Sequence, residues 1–194
     1  MIIGFCLSYL LMTFCAPLVA QQQWILASHS TLKVDGKTNI NSFACNISTY
    51  GRTDTIWTTQ TNKEGKVKAG GELSIQVAKF DCHHKMMTKD LQKTLKVSDY
   101  PFMKIRFTEF SKDLDDYVKA GRIEGEADIE LAGVTRHMNI ALSVIPGAAG
   151  QVQLIGVKQI LFSDFNLKPP SKLGGAIKVK NELLVEFRLY FQAR

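Results

Sequence analysis

"GRIEGEADIELAG", residues 121–133, alternates apolar and acidic side chains more regularly than the rest of the chain. The apolar set is Ile123, Ala127, Ile129 and Leu131, and the acidic set is Glu124, Glu126, Asp128 and Glu130. Successive side chains of a β-strand point to opposite faces, so this period of two predicts a strand with one buried and one solvated face. The acidic row is therefore interpreted as an outer surface and not as a set of paired catalytic carboxylates.

The same period recurs on both sides of this stretch, where it predicts further strands. They cover residues 24–34, 41–48, 53–61, 71–80, 102–110, 134–146, 151–163 and 177–191. About eight antiparallel strands, each apolar on one face, form a sheet with two unpaired edges, and closing the sheet into a barrel removes them. A two-layer sandwich is the alternative. An eight-stranded barrel has room inside for one elongated ligand or for its own side chains.

One segment has a helical period instead. Met87, Leu91 and Leu95 are spaced by four residues, and lysines occupy nearly the opposite side, at positions 85, 89, 93 and 96. This spacing predicts one amphipathic helix at about residues 84–96, ended by the extended conformation that Pro101 imposes before it. The lysine row is interpreted as a solvated face, with transient contact with an anionic membrane as the other interpretation.

The first twenty residues carry no charge and are mostly apolar, which is typical of a secretory signal peptide. The alternative is an uncleaved anchor, but about 15 apolar residues are short for a membrane span. We therefore expect an exported chain of residues 21–194, forming one domain, with the periplasm as the first location and secretion or surface association as others. The net charge of +6 allows anionic partners, although export argues against nucleic acid.

Two cysteines follow the signal segment, Cys45 and Cys82, and an oxidising compartment favours a bridge between them. Such a disulfide would stabilise the fold by roughly 3 to 5 kcal/mol. Cys82 also belongs to "FDCHHKMM", residues 80–87, whose soft ligands suit copper or zinc. Neighbouring side chains generally point apart, so we predict the disulfide and no metal, with a site at His83 and His84 as the rival.

Several segments resemble the YceI-like family. They are "GKTNINSF" at 36–43, "MMTKDLQKTLKVSDYP" at 86–101, "IELAGVTRHMNIAL" at 129–142 and "SDFNLKPPSKLGGAIKV" at 163–179. The resemblance implies an extended, lipocalin-like antiparallel β-barrel with a helix at one side, which holds a long-chain isoprenoid or similar amphiphile. Asn166 stands where the family tends to have glycine, and asparagine is the next best residue for a left-handed turn. A histidine frequent in the family is absent from residues 38–41, so any contact it makes is not carried over.

The predicted ligand-binding side chains are those expected in the barrel interior. They are Phe43, Trp57, Ile75, Val77, Ile105, Phe107, Ile129, Leu142, Val185 and Phe187, with Leu91 and Leu95 closing one end. The same residues would equally serve as core in a filled barrel. No nucleophile, zinc-protease or phosphate-loop motif is present, so we predict a non-catalytic lipid or isoprenoid carrier without a cofactor. The rivals are a metal protein or enzyme using the His83 region and a structural or stress-response barrel.

Overall fold

The computed structural model describes residues 21–59, 62–114, 121–148 and 150–194, and the predicted signal peptide lies outside them. In these ranges the strands are β1 Gln21–Leu26, β2 Thr31–Thr38, β3 Ser42–Ile47, β4 Thr55–Thr59, β5 Val67–Gly71, β6 Leu73–Gln76, β7 Phe102–Phe110, β8 Arg122–Leu131, β9 Val134–Pro146, β10 Gln151–Leu161, β11 Ser171–Lys172 and β12 Ile177–Ala193. Helix α1 covers Lys85–Thr94, and short 3₁₀ turns cover Val77–Lys79, Phe162–Phe165 and Leu173–Gly175. Among the described residues, no helix is both long and apolar enough to cross a lipid bilayer.

The sheet closes on itself as an antiparallel barrel. Its order is β1-β4-β5-β7-β8-β9-β10-β12, and β12 pairs back with β1. The 17-residue β12 serves both halves of the barrel, because its last residues pair with β1 and its first half pairs with β2. This closure confirms the prediction of an eight-stranded lipocalin-like barrel with one helix.

Two predicted strands are broken by turns. The stretch 24–34 forms β1 and β2, separated at residues 27–30, where the hydroxyl of buried Ser30 accepts a hydrogen bond from the Tyr190 amide, 3.0 Å. The stretch 71–80 contains only β6 and a 3₁₀ turn, since β5 ends at Gly71 with φ +100°. A Cβ at Gly71 would lie 2.4 Å from the Thr55 carbonyl oxygen, so the kink needs glycine. Trp24 and Leu26 before the first turn and Leu32 and Val34 after it share one period-two phase, so the pattern predicts a single strand there.

The half of the barrel around β1 and β4 is filled with side chains. Fully buried residues there include Trp24, Ile56, Phe107, Phe110, Leu142, Leu154 and Phe191. The indole Nε1 of Trp24 donates to the Thr58 hydroxyl, 3.1 Å, so its one polar atom has a partner in the core. This half of the barrel therefore forms a packed core.

The other half is built from β2, β3 and β6 and is covered by α1. One edge of β3 pairs with β2, and the other is joined to the segment before α1 by the Asn46–Asp81 backbone bridge. The disulfide Cys45–Cys82, with an S–S distance of 1.99 Å, makes the same connection covalently. Both the predicted disulfide and the predicted helix are confirmed, and together they place α1 over an otherwise open end of the sheet.

The acidic row of β8 lies on the outer face, where it meets basic side chains. Arg106 of β7 bonds to Glu130 at 3.0 Å and to Glu72 at 2.6 Å. His137 of β9 lies 2.9 Å from Asp128. The row lies on the outer face, as the sequence predicts, and these cross-strand pairs join it to the neighbouring strands.

The His137–Asp128 pair predicts a pH-dependent signal. The hydrogen bond to Asp128 raises the pKa of His137 above its ordinary 6.5. The pair's contribution to stability is therefore complete below pH 6.5 and lost as the pH rises through the raised folded pKa. We expect Asp128→Asn to lower the NMR titration midpoint of His137, and Glu126→Gln to lower it less. An unchanged midpoint in Asp128→Asn would contradict this assignment.

Candidate ligand-binding site

An apolar cavity lies inside the barrel beneath α1, with a volume of about 60 Å³. Its lining comprises Leu32, Val34, Phe80, Leu91, Leu95, Met103, Ile105, Ile129, Leu131, Ile140, Lys158, Ile160, Phe165, Leu183, Val185 and Phe187. Apart from Lys158, every one of these side chains is apolar. We call this space the inner cavity.

A second cavity, the mouth, opens at the end of the barrel where α1 begins, and has a volume of about 300 Å³. It is lined by Thr38, Ile40, Asn41, Ser42, Phe43, His84, Met86, Met87, Asp90, Leu91, Phe162, Pro170, Lys172, Ile177 and Val179. Ile40 and Met86 are 62% and 58% exposed, which is high for large apolar side chains. The mouth is therefore a solvent-facing cavity with an apolar rim.

The two cavities follow one another along the same elements. On β12, Ile177 and Val179 line the mouth, whereas Leu183 and Val185 line the inner cavity. On α1, Met86 faces the mouth and Leu91 lines both spaces. They thus lie next to each other with Leu91 lining both, and we call the two spaces together the channel.

Two cross-strand glycines set the shape of the channel wall. Gly36 faces the Phe43 ring and Gly156 faces the Phe187 ring, and a Cβ at either glycine would lie 2.3 Å or 2.1 Å from a ring carbon. Each ring can therefore lie flat against the neighbouring strand. A larger residue at Gly36 would displace the Phe43 ring at the mouth, and one at Gly156 would displace the Phe187 ring at the inner cavity.

The turn after β10 supplies two further aromatic side chains. In the 3₁₀ turn, buried Phe162 lines the mouth and buried Phe165 lines the inner cavity. Asn166 ends the turn in the left-handed conformation, with φ 54° and ψ 32°. The prediction that asparagine replaces glycine in this conformation is confirmed.

An ion pair crosses the mouth. The ammonium of Lys172 on β11 lies 2.7 Å from the Asp90 carboxylate on α1. Two neutral hydrogen bonds also tie the helix region to the chain before it, Gln92 to the Ala78 carbonyl and the Cys82 amide to Thr88, each 3.0 Å. The charges at the mouth are thus already paired with each other.

Comparison with known proteins identifies the fold family. The family model described as "YceI-like domain" matches residues 24–191. The chain belongs to the YceI-like family. Burkholderia cenocepacia BcnA is similar in structure, with a TM-score of 0.61 and 15% identity over 83% of this chain and 95% of that one. No match was found among curated protein sequences.

A second similar structure is a "polyisoprenoid binding domain" from Saccharophagus degradans, described as implicated in plant cell wall breakdown. Its TM-score is 0.64, with 13% identity over 88% of this chain and 98% of that one. At this identity the likeness establishes the shared fold. The YceI-like family and the channel together make this chain a barrel-shaped binding protein.

The YceI-like barrel brings half of the sequence-predicted ligand residues to the inner cavity. These are Leu91, Leu95, Ile105, Ile129, Val185 and Phe187, while Phe43 lines the mouth. Four others, Ile75, Val77, Phe107 and Leu142, are buried but line neither cavity. Whether any of these side chains contacts a ligand stays a prediction.

Trp57 corrects the sequence-based placement. In β4 the buried residues are Ile56 and Thr58, so Trp57 points to the opposite, outer face, where its ring covers Gly70. The run "TIWTT" contains β-branched residues in both phases, so its pattern does not determine which face is buried. Its ring instead shields the backbone of the neighbouring strand.

The soft-ligand segment 80–87 is divided among several roles. Cys82 is in the disulfide, His83 Nε2 lies 3.0 Å from the Asn46 side-chain amide, and His84 and Met86 line the mouth. In the part of the chain that the structure describes, no three His, Cys, Asp or Glu residues are grouped to hold a metal.

Sequence reasoning missed Lys158 and most of the mouth. Lys158 has a recognisable signal, because it stands in the same strand phase as buried Val152 and Leu154 and half-buried Ile160. The mouth has none, since Ile40, Pro170 and Ile177 lie in or beside turns that only the fold brings together.

Proposed function

We propose that this protein is an exported, non-catalytic carrier that holds a long-chain amphiphile, of isoprenoid, polyprenyl or other lipid type, in the channel beneath α1. The observation that carries the proposal is the alignment of the apolar inner cavity with the partly apolar mouth along α1 and β12. The aliphatic and aromatic side chains of these two spaces suit a hydrocarbon tail. The similarity in fold to the polyisoprenoid binding domain from Saccharophagus degradans supports the same ligand class.

The energetics favour a tail over a compact ligand. Each buried methylene contributes about 0.8 kcal/mol, so ten buried carbons supply roughly 8 kcal/mol before the costs of binding are subtracted. Ligand pockets usually measure about 300 to 1,000 Å³, and the mouth alone lies at the lower limit of that range. A tail that extends through both spaces must displace Leu91, which lines each of them.

In this proposal, helix α1 is the element that moves to admit the ligand. It is held across the mouth by one ion pair and by few other polar contacts, whereas the strands are held by continuous ladders. Met86, Met87 and Leu91 have flexible side chains that adapt to irregular ligands. Binding then proceeds by an outward shift of α1, followed by burial of the tail against β12.

Export is proposed from the sequence of residues 1–20 and is supported by the disulfide, since such bonds persist mainly in oxidising compartments. The periplasm is the first location to examine. Contact with an anionic membrane, through the lysine row of α1, would be transient and would serve loading or delivery.

Native ligand extraction tests the function. Protein purified gently from the periplasmic fraction of an expressing Gram-negative cell should yield, on organic extraction and mass spectrometry, one lipid at close to equimolar amount. A tail in the channel should also protect the α1 amides from hydrogen exchange. Protein that carries no lipid, and that binds none when long-chain lipids are added, would instead indicate a filled structural barrel.

A further inference from the structure

The barrel wall opens between β9 and β10, and we call this opening the seam. The two strands pair from Pro146 opposite Val152 to Leu142 opposite Gly156, and beyond these residues they no longer pair. Beyond that point β9 continues to pair with β8, and β10 continues to pair with β12. The seam is therefore a gap in the sheet beside the inner cavity.

Lys158 lies in this seam, and its aliphatic stem lines the inner cavity. It is half-buried and pairs across the sheet with Val185, and among the described residues it is the only charged one in the cavity lining. Its ammonium donates to the Asn139 backbone carbonyl on the far side of the seam, 2.7 Å. Within the described ranges this carbonyl is its one hydrogen-bond partner, and no carboxylate pairs with it.

A second cation lies at the rim of the same seam. Arg136 of β9, paired across the sheet with the cavity residue Ile129, donates from Nε to the Asp164 backbone carbonyl, 2.5 Å. The Asp164 carboxylate itself accepts from the Leu161 amide, 2.9 Å, and forms no ion pair with Arg136 among the described contacts. The seam thus holds two cations whose partners are neutral carbonyls.

The mouth differs in charge from the seam. Its lysine, Lys172, is already neutralised by Asp90. An ammonium in apolar surroundings has three donors and gains most from an anionic oxygen acceptor. The Lys158 ammonium has donors left for such an anionic acceptor, and its stem lines the inner cavity that a tail would fill.

We propose, resting on the carrier function above, that the seam is a head-group site and that the ligand is an amphiphile with a terminal anionic oxygen group, a carboxylate or a phosphate. The tail lies in the channel, and the head bonds to Lys158 with Arg136 at the rim. Lys158 would then determine specificity, because a neutral head leaves its charge without a counter-ion.

Calorimetric titration of lipid-stripped protein with dodecanoate, dodecyl phosphate and dodecanol tests this site. We expect the parent protein to bind both anions about tenfold more tightly than the alcohol, which corresponds to a charge-assisted hydrogen bond. In Lys158→Met this preference should fall to near one, with binding of dodecanol retained. The tighter of the two anions in the parent protein indicates whether a carboxylate or a phosphate is the natural head.

Two matched variants control for loss of charge. Lys33→Met on β2 and Lys68→Met on β5 remove the same charge from exposed residues outside both cavities, and both should keep the preference. The head-group site is overturned if the parent binds dodecanol as tightly as the anions, if Lys158→Met keeps the preference, or if either control variant abolishes it. Failure of all three ligands to bind would overturn the carrier function and this site together.

Discussion

The Cys45→Ala, Cys82→Ala double variant should lose about 4 kcal/mol of unfolding free energy. The bridge closes a loop with a sequence separation of 37 residues, and the chain-entropy relation gives this magnitude for such a loop. The loss matters structurally because the bridge joins β3 to the segment before α1, beside a single pair of backbone hydrogen bonds between Asn46 and Asp81. Denaturant unfolding of the two proteins measures the difference.

The parent protein provides the control for this prediction. Its midpoint in reducing buffer should fall to that of the double variant, whereas the variant's own midpoint should not respond to reductant. Hydrogen exchange should rise first in α1, because the helix is attached immediately after Cys82. Equal midpoints for the oxidised parent and the variant would show that the backbone bridge and packing suffice to hold this end.

The strands of the barrel were predictable because each has one face toward solvent and one toward the core. Its sequence therefore alternates polar and apolar residues. Residues 102–110 and 134–146 form β7 and β9 with the expected bounds, since apolar residues recur in one phase over most of each stretch. The break at 27–30 was not predictable, because it arises when one long partner, β12, pairs with two shorter strands in succession. Pairing of that kind depends on the length of a distant strand and leaves no local mark.

The candidate site was predictable only in its apolar part. Val185 and Phe187 follow from the phase of β12, but the phase cannot tell a cavity wall from a filled core such as that around Phe107. Whether an inward-facing residue lines a cavity or belongs to the filled core depends on where α1, and not a strand, covers the barrel. Lys158 was recognisable from the sequence as a charged residue in the buried phase of its strand. Its proposed role was not, because that role depends on the gap between β9 and β10.

Filling the inner cavity with Val185→Trp should weaken binding of long-chain amphiphiles about fiftyfold. Val185 lies at the centre of the inner cavity wall, paired with Val34 on one side and Lys158 on the other. An indole there would exclude about three chain methylenes, or roughly 2.4 kcal/mol of burial. The measurement is calorimetric titration with dodecanoate and dodecanol, and both affinities should fall in parallel, unlike the head-selective loss expected from Lys158→Met.

Leu184→Trp is the matched control, because Leu184 is the next residue of β12 and points outward, 45% exposed. It adds the same indole to the same strand and should leave both affinities unchanged. Overpacking costs about 1 to 3 kcal/mol, so thermal unfolding must confirm that Val185→Trp is folded, and Val185→Phe should give a smaller loss of the same kind. If a folded Val185→Trp protein bound both ligands as the parent does, the tail would have to lie outside the inner cavity, and the proposal that the tail fills this cavity would be wrong.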